Sequence, residues 1–567
     1  MKKIIKVLGA FILGISCFTL IACANISQNN NSANSGNTIS VTDSGAQGEL
    51  DETMFSSGDV KVISESDYDG EIDLSTLSSN YTISNPGTYH VTGTLNNYQL
   101  IINYTNQNEK NVHLVLDNVT MTNSKNACIY VKSAEKVVIH LIGENSITTT
   151  YTSKVNDGTS SIDGAIYSKD DLTITGSGSL KVNSKIHGIV CKDDMKFTGG
   201  VITINSDSKG IDVNDSLRIK ESNITIISGS DGVHLENDAN DAFFYMESGT
   251  LSITASNDGI DCSTSSNSFS GYISMVGGTI NITAGGGSGK SASSSTSTKG
   301  IKSDGTITVS GGTTVVNSSD DSIHAASTIY LKGGVLDLKT GDDGIHSDTK
   351  VVISGGIISA NAHEGIEGKS VEIAGGTMTI VASDDGINAS NSITVSGGYI
   401  DITMGNGDVD GVDSNGTYTQ TGGFVVARVP GVNEMAAPLD TDSTVKITGG
   451  TFIALGYFNT AQSSTTVPSI SFGSNSFGGG SRGFMGGGPG MPGGNNQVSS
   501  SVTFTSGTYT VCKADSSDVV LTFTLTQSYS ALAIVSDMLS VGNNYVLNCN
   551  GSTYKTWSQS STSVTGS

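Results

Sequence analysis

Basic residues are scarce. The 567-residue sequence carries 29 Lys and Arg against 53 Asp and Glu, a formal net charge of −24. That balance excludes a bare nucleic-acid surface, because such surfaces cluster Lys and Arg to neutralise phosphates. An acidic exterior instead suits cations, or sugars. Aromatics are few as well, at 6% with one Trp, so a flat aromatic platform for neutral glucans has only Tyr399, Tyr418 and Tyr457 as candidates. Proline contributes 6 residues and glycine 71. With Ser, Thr, Asn, Asp and the β-branched aliphatics filling the rest, this is the composition of many short strands joined by tight turns, not of helices. Five cysteines lie beyond Cys17 and Cys23, namely Cys128, Cys191, Cys262, Cys512 and Cys549. Their odd count and wide spacing give neither a disulfide framework nor a CxxC metal pattern.

The beginning of the chain reads as a secretory signal. A basic start (Lys2, Lys3, Lys6) precedes an apolar stretch from Val7 to Ala22, the pattern of a cleaved leader and not of a spanning helix. The tetrad Leu20-Ile21-Ala22-Cys23 resembles a bacterial lipobox, in which the cysteine is lipidated and becomes the first mature residue. The alternative is a plain cleavage site. Residues 1–22 are thus expected to be a signal peptide. Residues 23–58, rich in Asn, Ser and Gly, hold too little apolar surface to fold and read as a flexible tether. The expected location is extracellular, at the cell membrane through a lipid on Cys23.

A repeat governs the middle of the chain. The segments KGIKSDGTITVSGGTTVVNSSD, DSIHAASTIYLKGGVLDLKTGD, DGIHSDTKVVISGGIISANAH and EGIEGKSVEIAGGTMTIVASD follow one another from Lys299. The aligned aliphatic falls at Ile129, Ile166, Ile189, Ile211, Val233, Ile260, Ile301, Ile323, Ile345, Ile366, Ile387 and Val412. Apolar residues alternate over three or four positions within each unit, and a Gly-Gly pair interrupts them, which spells short strands and a sharp turn. Three short strands per 21 or 22 residues make one coil, and stacked coils bury one another's inward faces. The spacing predicts an all-β, right-handed parallel β-helix of about 12 coils over residues 126–470. Residues 59–125 should supply the N-terminal cap and first rungs, 471–500 a Gly-rich disordered loop, and 501–567 a small C-terminal β subdomain that closes the stack. Cys191 and Cys262 then lie three coils apart, about 14 Å at ~4.8 Å per coil, too far to bridge. Cys512 and Cys549 are the one pair left to consider.

Core packing does not account for the acids. Two residues before the aligned aliphatic stand Asp231, Asp258, Asp321, Asp343, Glu364, Asp385 and Asp410. One residue after it stand Asp212, Asp261, Glu367 and Asp413, and Asp320, Asp342, Asp384 and Asp408 lie just upstream. Coil stacking turns these into columns of carboxylates. Two such charges repel by ~1 kcal/mol in water and several times that when partly buried, so long columns call for a counter-ion. An oxygen-rich set at variable spacing suits calcium better than octahedral magnesium. The plainer alternative is that Asp-Gly simply makes turns, although the paired acids of DGID (258–261), EGIE (364–367) and DGVD (410–413) exceed what a turn requires. Lys209, Lys299 and Lys302 interrupt the columns. His234, His324 and His346 occupy the row after the aliphatic, either as a stacked polar row or as transition-metal ligands.

The Gly-Gly-x-Ile-x-Ile and Asp-Asp-Gly-Ile repeats, the Gly/Met/Pro-rich segment GGGSRGFMGGGPGMPGG and the terminal strands together resemble the clostridial carbohydrate-binding β-helix proteins, across roughly residues 59–560. The resemblance implies binding of cellulose and acidic polygalacturonate-type sugars, calcium on the carboxylate ladders, and a fold similar to calcium-dependent pectate lyases. On this reading the partner is a polysaccharide, an acidic polyuronate first and cellulose second, and contact with the membrane is through the lipid anchor only. The metal residues are Asp231, Asp258, Asp261, Asp320, Asp321, Asp342, Asp343, Glu364, Glu367, Asp384, Asp385, Asp408, Asp410 and Asp413. Two rival functions stand beside it. One is a calcium-dependent polysaccharide lyase with Lys302 as base. The other is a structural adhesin that needs no site.

Overall fold

The computed structural model describes residues 54–104, 111–237, 242–264, 270–292, 295–407, 409–430, 436–456, 465–473 and 502–566. The expected signal peptide, Cys23, most of the tether, the Gly-rich stretch from 474 onward, Asp408 and Tyr457 lie outside them. Alternation in the sequence becomes three parallel sheets. The strands Ile301–Ser303, Ile307–Val309 and Thr313–Ser318 form one coil, and each pairs in parallel with its counterpart in the next. In the first sheet the aliphatics align in one column, Ile301 with Ile323, Ile345, Ile366, Ile387 and Val412. All of these are at most 1% exposed. Burying each contributes roughly 1.5–3 kcal/mol, and a lone coil has no neighbour against which to gain it.

The parallel β-solenoid has about 14 turns, not the dozen read from the repeat. Rungs at Tyr81–Ile83, Leu100–Asn103 and Asp440–Thr441 extend the first sheet at both ends. The first two lie in the 59–125 stretch expected to supply the first rungs, and none of the three carries the Gly-aliphatic pair by which the other coils were counted. The long gap after Ile129 holds a small antiparallel ribbon, Val155–Asn156 with Ser161–Ile162.

Glycine serves two ends. The second member of each Gly-Gly pair takes the left-handed turn, as at Gly356 (φ 96°) and Gly376 (φ 90°), a conformation that side chains resist. The glycine of Asp-Gly has another cause. A Cβ on Gly365 would lie 2.4 Å from both the Gly386 carbonyl oxygen and Ile380 Cγ2, so the coils approach too closely there for any side chain.

The pile is covered on one side near its start and at its far end. Near the start, Asp59 is fully buried against the outside of the second sheet. It pairs with Lys136 and Lys196 and accepts a hydrogen bond from Thr173 Oγ1 at 2.8 Å. At the far end the strand Leu532–Ser536 runs antiparallel to Thr451–Leu455 and to Ser469–Phe472, ending the parallel edge. A four-stranded antiparallel sheet follows, ordered 519–525, 507–513, 544–549, 552–558. Ser471 and Phe472 belong to this closure and not to the Gly-rich loop, because the Phe472 ring packs on Phe504 and Trp557. The five described cysteines, Cys512 and Cys549 included, are free thiols.

Candidate metal and carbohydrate site on the acidic flank

The Asp-Gly corner is held from coil to coil by a backbone ladder. The Gly365 N–H donates to the Asp385 carbonyl, Gly386 to Asp410 and Gly411 to Ala437, each at 2.8–2.9 Å. The aspartates two residues before the aligned aliphatic add a second tie. Asp231 Oδ1 accepts the Asp258 N–H, Asp258 Oδ1 the Lys299 N–H, Asp321 Oδ1 the Asp343 N–H, Asp385 Oδ1 the Asp410 N–H and Asp410 Oδ1 the Ala437 N–H. One carboxylate oxygen thus fixes the next coil. The residue after the aliphatic faces outward, in a continuous register from Asp212 through His234, Asp261, Lys302, His324, His346, Glu367, Asn388 and Asp413 to Asp440.

In its first half this flank supplies its own cations. Asp212 meets Lys209 and His234 at 2.9 Å and Lys192 at 3.2 Å. Burial opposes its ionisation, but the His234 hydrogen bond and the lysines hold its carboxyl far below the usual range. Lys302 Nζ lies 3.2 Å from Asp261 and 3.8 Å from Asp258. Lys299 Nζ reaches Asp320 at 2.7 Å and Asp321 at 2.6 Å. Asp258 remains raised to about 6, by burial first and then by Asp261. His324 Nδ1 sits 2.9 Å from Asp321. His346 Nδ1 lies 3.1 Å from Asp343, 3.3 Å from Glu367 and 3.6 Å from Asp321. Burial disfavours the His346 imidazolium, yet Asp321 and Asp343, then Glu367, lift it to about 10.

In the second half the neighbours are acids. Asp410 and Asp413 are both pushed up to about 7, by burial first; the charged groups acting on Asp410 are Asp440, Asp385 and Asp413, and those on Asp413 are Asp385, Asp440 and Asp442. Glu364 rises to about 8, by burial and then by Asp343, Glu367 and Asp385. Ligand-capable atoms of Asp410, Asp413 and Asp440 lie within 4.8 Å of one another, as do those of Asp320, Asp321 and Asp342, of Asp343, His346 and Glu367, and of His363, Glu364 and Asp384. Nine of the residues expected from sequence are brought together in these groups. Asp231, Asp258, Asp261 and Asp385 join none of them among the described residues. Asp440 was missed. It stands in register with Asp413, after Leu439, in a coil that carries the aliphatic-acid step without the preceding glycine.

The chain matches the family model of carbohydrate-binding domain-containing proteins over residues 78–344 and 342–518. It belongs to that family. A carbohydrate-binding domain-containing protein of Acetivibrio thermocellus is 38% identical over 175 residues, 29% of this chain and 60% of its own length. The chain therefore spans about 60% of the curated relative it matches. Among solved structures, a polysaccharide lyase-like protein from C. thermocellum, a gadolinium derivative, is 33% identical with a TM-score of 0.31, covering 37% of this chain and 92% of that one.

Within this carbohydrate-binding family member, two groups singled out from sequence change their reading. Lys302 Nζ sits between Asp261 and Asp258, and these carboxylates outweigh burial and raise its ammonium, the arrangement of a counter-ion. Tyr418 is fully buried, its hydroxyl 2.9 Å from Gln420 Oε1, and cannot touch a sugar because its alternation places it inward. Tyr399 is 40% exposed and stacks on Phe424 with ring centroids 5.5 Å apart.

Proposed function

We propose that the protein is an extracellular, lipid-anchored module that binds plant-type polysaccharide, an acidic polyuronate before cellulose, through calcium on its acidic flank. The family supplies the carbohydrate and the flank supplies the chemistry. The observation that carries the reading is the Asp410, Asp413 and Asp440 group, with ligand-capable oxygens within 4.8 Å and with carboxylates as the charged neighbours acting on Asp410 and Asp413. An oxygen-only donor set of this kind fits a hard divalent cation. Asp410, Asp413 and Asp440 would hold it, while Asp410 also keeps the next coil in place through Ala437. Bound calcium would supply positive charge between the flank's carboxylates and those of a uronate. Asp212 and Asp261, nearer the N-terminal end, contribute shape, because lysine meets their charge.

The test is a titration of the full chain with polygalacturonate, with and without EDTA, while unsaturated product is followed by ultraviolet absorbance. Chelator-sensitive binding without product is expected. Binding that survives EDTA and the Asp410→Asn/Asp413→Asn substitution would overturn the reading, and product formation lost on Lys302→Ala would replace it with a lyase.

A further inference from the structure

The middle of the flank has chemistry of a different kind. There, two imidazoles from successive coils stand edge to face, His324 and His346, with ring centroids 4.7 Å apart. Their Nδ1 atoms converge on one carboxylate oxygen, Asp321 Oδ2, at 2.9 and 3.6 Å. Asp321 is 1% exposed, its other oxygen is tied to the Asp343 backbone, and the same Oδ2 also accepts from Lys299 Nζ at 2.6 Å. The same His346 nitrogen faces Asp343 and Glu367 at 3.1 and 3.3 Å. On the far side of both rings, each Nε2 lies 3.7 Å from Asp348 Oδ1. The arrangement is therefore layered, with imidazoles between inner carboxylates and an outer one. Supporting carboxylates on the second ring nitrogen are what fix and strengthen a histidine ligand.

A cavity of about 440 Å³ opens directly beside this group, lined by His346, Asp348, Glu367 and Lys369 among others. It leaves an approach from solvent that the buried Asp321 side does not offer. Charge draws a cation there. Asp321, Asp343, Asp348 and Glu367 surround the two rings, against Lys299 and the cavity's Lys369. The donors also choose among cations. Imidazole nitrogen is a good ligand for zinc, cobalt and nickel and a poor one for calcium, which takes oxygen.

We propose that His324, His346 and Asp321 form a site for a divalent first-row transition ion of the zinc class, with Asp343 and Glu367 beside His346, separate from the oxygen-only group at Asp410, Asp413 and Asp440. The donor atoms of Asp321, His324 and His346, and those of Asp343, His346 and Glu367, already lie within 4.8 Å of one another. Small rotations bring them to the ~2.0–2.2 Å that zinc requires of nitrogen and carboxylate oxygen. The cavity side leaves a position for water or another oxygen ligand, the feature that distinguishes an open zinc site from a closed structural one. His324 and His346 face outward from the first sheet, so exchanging them leaves the aliphatic column intact.

The experiment titrates the full, chelator-stripped chain with Zn²⁺ in the presence of excess Ca²⁺, and with Co²⁺ as the spectroscopic probe. One Zn²⁺ per chain should bind despite the calcium, and Co²⁺ should develop the visible band of a nitrogen-containing, low-coordinate site. Both signals should survive Asp410→Asn/Asp413→Asn. His346→Gln should abolish the band, and His324→Gln should weaken Zn²⁺ binding by more than the roughly 100-fold that loss of a mere supporting partner costs. Zn²⁺ uptake that excess Ca²⁺ removes, that the His324→Gln/His346→Gln pair leaves unchanged, or that gives only a faint octahedral cobalt spectrum would overturn the proposal. Should the histidine variants lose their β-sheet circular dichroism, the calcium competition and cobalt spectrum of the unaltered chain decide alone.

Discussion

Lys302 Nζ stands 3.2 Å from Asp261 Oδ2, in the same outward row and one coil away. The pair explains why Asp261 and Asp258, side by side with two buried carboxyls, need no ion of their own. Lys302→Ala strands both charges, and an unmet buried charged group costs about 1–3 kcal/mol or more. The variant's melting temperature should fall, and added Ca²⁺ should restore more of it than it adds to the unaltered chain. Equal calcium responses in the two proteins would show that Lys302 is not filling a cation's place.

Asp410 and Asp413 make the opposite case. Without a divalent ion they are held near neutrality, and with one they ionise. A ligand present at 100 times its Kd stabilises by about 2.7 kcal/mol, so calcium should raise the melting temperature measurably. Asp410→Asn/Asp413→Asn should abolish that rise while leaving the chelated protein at least as stable as before. A calcium response that persists in the double variant would place the ion elsewhere.

Coil-to-coil contact sets a steric prediction. Gly365→Ala drives a methyl to 2.4 Å from the Gly386 oxygen and Ile380, a clash in the overpacking range of about 1–3 kcal/mol. Gly158→Ala meets nothing within 4 Å and suffers only its positive φ of 89°, roughly 1–2 kcal/mol. Denaturant melts of the two variants should rank accordingly.

A histidine pair gives the N-terminal coils an acid sensitivity. His113 Nδ1 and His140 Nε2 lie 2.9 Å apart and are both buried. Burial, then His113 and Lys61, lowers His140 to about 3, and burial with Lys61 and Lys136 lowers His113. Unfolded histidine near 6.5 takes a proton that the folded pair refuses. Their stabilisation is therefore complete above pH 6.5 and drains as pH falls toward 3. Amide exchange in Val112–Asn123 and Lys136–Ile142, corrected for intrinsic rates, should accelerate across that window before exchange in Ile366–Ile373 does. His140→Gln should flatten the difference.

The fold was largely readable because one rule repeats. Gly365 and Ile366 announce a position, and the next coil confirms it, so register propagates along the chain. The rungs of Tyr81 and Leu100 fall in the 59–125 stretch expected to hold the first rungs but could not be aligned individually, and Leu439-Asp440 was missed, because these coils lack the glycine. The candidate site was harder. Asp321 and Lys299 are 22 residues apart in sequence and 2.6 Å apart in space, and only the length of the lysine side chain and its direction across the coils decide whether a carboxylate is already neutralised. Tyr418 shows the same limit from the other side, since a single step in alternation separates a surface aromatic from a buried one.

The strand Leu532–Ser536 runs against the direction of every coil before it. A parallel pile has no inherent last member, and each finished rung is a template for another. Reversing one strand cancels that invitation. A chain truncated before Leu532 would present the bare edge of Thr451–Leu455 to its neighbours, and such molecules should associate end to end into filaments where the complete protein does not.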